Sequence, residues 1–281
     1  MKFNLSAQLD YVVNSASTLI LNIHALRTPE QTVLQESFMV TPEVRIEELQ
    51  AVGGENRMIR LDIPEACNLS VSYSATVNNS YKITDHRDVM ESPIAQLHAD
   101  ILPFLNPSRY CQSDKLYRLA NHMFGYINSP FEQVMALTNW IRNNVLYLSG
   151  STNAQTSAYD TVTEQAGVCR DFAHLGIALC RALTIPARYF TGYAYKLKPA
   201  DFHACFEAYL GNQWVLFDAT GLAPLNGMIK IATGRDAADA AVASIFGDAY
   251  GTTMNISCQL AEDNFKPYFY PSGKFEGLSY L

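Results

Sequence analysis

The sequence predicts an α+β protein: an antiparallel β-rich N-terminal region, then a core of helices and a β-hairpin. Three observations lead there. Short alternating apolar runs rich in β-branched residues fill roughly the first 85 residues. From Asp114 the apolar spacing lengthens to that of amphipathic helices. Then "FHACFEAYLGNQWVLFDAT" returns to strict alternation on either side of a Gly-Asn turn.

Residues 1–85 contain "DYVVNSASTLILNIHAL", "SFMVTPEVRIEEL" and "NRMIRLDIPEACNLSVSYSATV", punctuated by Thr41-Pro42, Gly53-Gly54 and Asn78-Asn79. That is the pattern of an antiparallel sheet or small sandwich. Residues 86–113 carry Pro93, Pro103 and Pro107 and read as a linker wrapping the surface. Residues 114–281 form the second domain and its C-terminal extension. "DKLYRLANHMFGYI" and "SPFEQVMALTNWIRNNVLYL" suit amphipathic helices, the second with Ser129 as N-cap and Pro130 at its first position. After the polar loop "SGSTNAQTSAY", Thr161 and Glu164 have capping-box spacing for a short helix, which Gly167 would close in a left-handed conformation. A longer helix starts at Val168 or Cys169 and runs to about Leu183, before Pro186. Strands follow at "ARYFTGYAYKL", "DFHACFEAYL" and "QWVLFDAT". "GRDAADAAVASIFG" is predicted to be a short helix and "TTMNISCQLAED" a strand.

With 281 residues, 48% hydrophobic and 17% charged, the chain can bury a substantial core. Its net charge of −7 argues against nucleic acid or an anionic membrane as the main partner. "TLILNIHAL" is too short to span a bilayer, and Asn4, Gln8 and Asp10 interrupt any apolar stretch of a secretory signal. Cys67, Cys111, Cys169, Cys180, Cys205 and Cys258 are scattered, with no C-x-x-C pair. That pattern suits reduced thiols, and the expected location is the cytoplasm.

Four roles are open to Cys169 in "GVCRDFAHLGIALC": nucleophile, metal ligand, half of a disulfide, or packing. A place in the first helical turn favours an anion, because unsatisfied N–H groups and the helix dipole stabilise a thiolate there. Gly167 removes a side chain where a substrate carbonyl would approach the backbone. Cys180 lies roughly 16 Å along the helix axis from Cys169, beyond the Cα separation of about 7 Å that a disulfide tolerates. Zinc ligation by Cys169, His174 and Cys180 fails similarly, since His174 is about 140° round the helix from Cys169. Cys180 therefore reads as core and His174 as a structural histidine. No metal is expected.

A nucleophilic thiol needs a base, and the base needs a group that fixes its tautomer. His24 and His86 lie in or beside the β-rich region, His98 in the linker and His122 in a helix. His203 instead opens a hairpin strand, sharing one face with Cys205, Glu207 and Tyr209. Pairing Leu210 with Gln213 across the turn brings Asp218 to that face, one diagonal step from His203, roughly 7–8 Å at Cα. Glu207 is a second candidate for the orienting role. A Cys, a His and an Asp can be picked from most sequences, so spacing alone leaves simple packing open.

These stretches together, "GVCRDFAHLGIALCRALTIPARYFTGYAY" and "FHACFEAYLGNQWVLFDAT", resemble the core motif of the transglutaminase-like superfamily. That motif has a Cys at a helix start, a Gly-Ile-Pro-Ala-Arg-like exit, a His in a strand, and Asp followed by Pro or Ala and then Thr. The likeness covers roughly residues 115–225; "IATGRDAADAAVASIFG" and the N-terminal region resemble the bacterial branch, the transglutaminase-like cysteine proteases. The resemblance implies a papain-like cysteine proteinase core with Cys169 as nucleophile, His203 as base and Asp218 as orienter. The Cys169 backbone N–H would form half of the oxyanion hole, with the second donor upstream, near Tyr147 or in "STNAQTS". It implies thiolate attack on a peptide or carboxamide carbonyl and a thioester, with no cofactor and a peptide or protein as substrate. Hydrolysis is the expected outcome; amine acyl transfer and a non-catalytic peptide-binding module are the alternatives. Three departures stand out: Cys205 where many relatives have Trp, Ala219 where Pro is commoner, and Thr184 where Gly is usual.

Overall fold

The structure, a computed structural model, describes residues 1–50, 55–87, 93–271 and 273–280; Gly53-Gly54 lies outside them. Alternation governs the N-terminal region. In β1 (Lys2–Val13) every second residue from Phe3 to Val13 is buried. It is followed by β2 (Ser17–Leu21), β3 (Gln31–Thr41), β4 (Arg45–Gln50), β5 (Arg57–Ile63), β6 (Cys67–Asn79) and β7 (Lys82–Asp85). Residues 93–112 contain two short 3-10 turns, Ile94–Gln96 and Leu102–Leu105, and no longer element.

The helices come next: α1 (Ser113–Phe124) and α2 (Pro130–Asn144), where Ser129 caps as expected by accepting from the Glu132 N–H at 3.3 Å. Then come β8 (Leu146–Tyr147), α3 (Ala158–Glu164), β9 (Ala166–Gly167) and α4 (Cys169–Ala182). The capping box of α3 is Ser157 with Asp160, one turn earlier than Thr161 and Glu164 would place it. Thr161 lies inside the helix, its hydroxyl donating to the Ser157 carbonyl at 2.9 Å. The residue that closes α3 in the left-handed conformation is Gln165 (φ 54°), not Gly167. Thr184, after α4, is left-handed as well (φ 66°), which explains why glycine is usual there.

The remaining strands are β10 (Ala187–Ala194), β11 (Phe202–Leu210), β12 (Gln213–Phe217), β13 (Met228–Gly234), β14 (Ala243–Phe246), β15 (Ala249–Leu260) and β16 (Glu276–Ser279). The expected helix over 234–247 does not form. Side-chain bonds to the backbone, Asp239 from the Arg235 N–H and Asp236 from the Ala238 N–H, hold turns there, and β14 then pairs with β2. Such local bonds and a waiting sheet edge outweigh the helix preference of the alanines.

Among the described residues three antiparallel sheets of four strands result, in the orders β15-β1-β6-β3, β14-β2-β5-β4 and β12-β11-β10-β13. Residues 243–260 thus return to the N-terminal sheets: β15 pairs with β1 from Ala249 to Leu260, and β14 with β2. One apolar core runs from those sheets through α4 into the third sheet. In α4, Phe172, Leu175, Ile177 and Leu179 are each at most 2% exposed. Each such burial is worth about 1.5–3 kcal/mol. Gly176 lets α4 sit close on β11, because a Cβ there would lie 2.5 Å from the Phe206 ring. Among the described residues no helix is long and apolar enough to cross a membrane.

Candidate active site

Cys169 is the first residue of α4, half-buried and facing a cleft. Asp171 builds this helix start. Its carboxylate, fully buried, accepts from the Val168 N–H at 2.9 Å and the Thr152 hydroxyl at 2.7 Å, and pairs with Arg170 at 3.0 Å. Arg170 also donates to the Asn153 carbonyl at 2.8 Å, so Arg170 and Asp171 together tie the 151–156 loop to the helix. A carboxylate in the first turn also suits the helix dipole. Gly167 serves close packing here, since a Cβ would sit 2.7 Å from the Asp171 Cβ. Parallel pairing of β8 with β9 sets Tyr147 opposite Gly167. Burial raises the Tyr147 hydroxyl above its ordinary value, with charge on Cys169 adding to it.

The hairpin follows the register expected from its sequence. Leu210 pairs with Gln213, Tyr209 with Trp214 and Glu207 with Leu216, and Gly211 and Asn212 both turn at positive φ (57° and 62°), as a type I′ turn requires. Asp218, just beyond β12, meets His203: the ring Nε2 donates to the Asp218 Oδ2 at 3.0 Å, and both residues are at most 4% exposed. The other carboxylate oxygen, Oδ1, accepts from the Thr220 N–H at 2.8 Å and the Thr220 hydroxyl at 2.7 Å. Arg142 holds the Asp218 carbonyl at 2.8 Å. Sequence reasoning missed Thr220 and Arg142. The Asp-Ala-Thr spacing is a signal for the first, because Thr two residues after Asp can close such a turn; nothing near Arg142 marks the second.

An ionised Asp218 can only accept, so the proton of the neutral His203 ring resides on Nε2. Nδ1 is then the lone-pair nitrogen, buried with no hydrogen-bond partner. Burial disfavours charge on His203, but the adjacent Asp218 carboxylate outweighs it; the imidazolium is held well above the ordinary histidine range. Burial works against the Asp218 carboxylate too, yet His203 and Thr220 keep it below the usual value.

The other candidates fall outside these roles. Glu207 is fully buried between Arg188 and Lys230, the latter at 3.0 Å, so its carboxylate is already committed. His174 is buried inside α4, where Nε2 accepts from the Ala237 N–H at 3.1 Å and the ring stacks on Tyr110. Burial keeps it neutral. Cys180 is fully buried and burial pushes its thiol up. Cys205 is 1% exposed, and burial beside Asp218 pushes its thiol up to about 12. His203, Cys205 and Asp218 could each turn one ligand atom toward a metal, these atoms lying within 4.8 Å of one another. The His203–Asp218 hydrogen bond and the two bonds from Thr220 already use the donors such an ion would need.

The cleft encloses about 570 Å³ between the start of α4, the β10–β11 hairpin and the 237–246 segment. Cys169 and His203 both line it.

Residues 1–100 match the family "bacterial transglutaminase, N-terminal domain", and residues 117–219 match the transglutaminase-like superfamily. A crystal structure of a candidate cysteine protease from Cytophaga hutchinsonii is similar over 100% of this chain and 98% of its own, at 57% identity and a TM-score of 0.98. An uncharacterised protein of Mycobacterium leprae is 26% identical over 165 residues, 56% of this chain. One of Mycobacterium tuberculosis is 30% identical over 150 residues, 48% of this chain. The matched stretch spans 59% and 47% of those two mycobacterial proteins. Helix-start cysteine, hairpin histidine and post-strand aspartate thus stand in a fold shared with the Cytophaga structure, and the chain belongs to the transglutaminase-like superfamily.

Proposed function

We propose that the protein is a thiol-dependent hydrolase of peptide or carboxamide bonds, with Cys169 as nucleophile, His203 as base and Asp218 as orienter. The observation that carries this reading is the state of the His203 ring: Nε2 is fixed by Asp218, and Nδ1 is buried without a partner. Nδ1 takes the thiol proton, and Cys169 Sγ then attacks the carbonyl carbon. The oxyanion meets the Cys169 N–H, which has no intrahelical acceptor in the first turn, and the Tyr147 hydroxyl from β8. The imidazolium returns its proton to the departing amine, the C–N bond breaks, and a thioester remains. Water, deprotonated by His203, then attacks the thioester; the acid departs and Sγ is reprotonated.

The similar Cytophaga protein is described as a candidate cysteine protease, which supports a peptide or protein substrate. The N-terminal region supports the far wall of the cleft from behind, because β2 holds β14, and Phe246 of β14 lines both this cleft and the adjoining groove. We place the linker at 86–113 and the catalytic domain, with its extension, at 114–281. Six free thiols scattered through the fold suit a reducing compartment and support a cytoplasmic location.

A peptide-library digest with and without a primary amine, read by mass spectrometry, tests the reaction. Hydrolysed peptides in both arms are expected. Amine adducts as the main product would make the protein an acyltransferase, and no turnover in either arm would make it a binding module.

A further inference from the structure

We propose that Arg109 is a specificity determinant that selects substrates carrying a carboxylate near the scissile bond. The proposal rests on the reading of this cleft as a hydrolytic site. Its lining includes Arg109 and Arg170 but no Asp or Glu, on a chain whose net charge is −7. The charges in and around it are nearly all matched. Arg170 is used by Asp171 and the Asn153 carbonyl. His203 and Asp218 match each other. Asp236, beside the Arg109 loop, gives its oxygens to the Tyr110 and Ala238 N–H groups at 2.9 and 2.8 Å. Among the described residues no carboxylate forms an ion pair with Arg109.

Arg109, itself exposed, rests on an aromatic ring. Its guanidinium carbon lies 4.9 Å from the centre of the Tyr110 ring. Tyr110 cannot move freely: it stacks on His174 at 5.0 Å and donates its hydroxyl to the Ala154 carbonyl at 2.8 Å. The platform ends in a neutral histidine, so it adds no competing charge. Arg109, Arg170 and Cys169 line the same cleft, while the opposite wall presents Ala237, Ala238, Ala240, Ala241, Val242 and Ala243, and the intervening Asp239 does not line it and is paired with Arg235. The unmatched recognition group there is a cation, and a guanidinium suits a carboxylate in a two-pronged contact.

The carboxylate can be an acidic side chain or a free C-terminus, and paired substrates separate the two. Peptides differing only as Glu against Gln, each with a free or amidated C-terminus, are compared by kcat/KM. Wild type is expected to prefer the carboxylate about tenfold at low salt, mainly through KM, and less at high ionic strength. Arg109→Ala should abolish the preference and Arg109→Glu should turn it toward Lys-bearing peptides, with Cys169 alkylation unchanged in both. Preference confined to free C-termini assigns the carboxylate to that source. A wild type indifferent to charge, or a preference that survives in Arg109→Ala, overturns the proposal. If no peptide is turned over, the hydrolytic reading has failed, and charge selection is read by fluorescence anisotropy on Cys169→Ala. There, about tenfold tighter binding of Glu than Gln peptides, lost on adding Arg109→Ala, supports it; equal affinities overturn it.

Discussion

Cys169→Ala is expected to abolish turnover, by about 10⁶-fold in kcat, while leaving the fold intact. The removed atom is the one that forms the thioester, and no other thiol can replace it. Cys205 shares the site but is 1% exposed, with its thiol pushed up to about 12, and Cys180 is sealed in the core. Stability should barely change, because the side chain is only half-buried and the helix start is held by Asp171, Thr152 and Arg170. Circular dichroism and the urea midpoint should match wild type while peptide cleavage disappears. Retained cleavage would mean another nucleophile.

Asp218→Asn is expected to lower kcat by about 10⁴-fold with little effect on peptide binding. The Asn carbonyl oxygen can still accept both bonds from Thr220, so the turn after β12 survives. Its amide nitrogen then faces the His203 Nε2 and donates to it. The ring proton moves to Nδ1, the nitrogen that must receive the thiol proton, and the base is lost. The pH profile carries a second signature. Asp218 raises the His203 value, so the imidazolium persists to higher pH in wild type; without that carboxylate the alkaline limb moves toward acid. Unchanged kinetics would require another orienter. Glu207, the sequence alternative, is held by Arg188 and Lys230 and is not free to serve.

The site's framework was legible where local chemistry decides it. The first-turn position of Cys169 followed from helix-start logic, and the hairpin register followed from alternation around Gly211-Asn212. Details decided by remote partners were not legible. The alanine-rich 235–242 segment has helical composition, but Asp236 reaches the Tyr110 N–H, and Asn22 takes the Val242 carbonyl through its N–H. The support of Asp218 by Arg142 is similarly non-local, because α2 and the end of β12 meet only in the folded core. The left-handed turn expected at Gly167 falls on Gln165 instead, and Gly167 makes room for Asp171.

Alkylation of Cys169 by iodoacetamide at pH 6 tests the central claim most directly, with Cys67, also half-buried, as the exposure-matched control. With His203 beside it to take its proton, Cys169 should react up to about 10²-fold faster than Cys67 at that pH. His203→Ala should bring Cys169 down to the rate of Cys67. Equal rates for the two cysteines in the wild-type protein would contradict an activated thiolate at the start of α4.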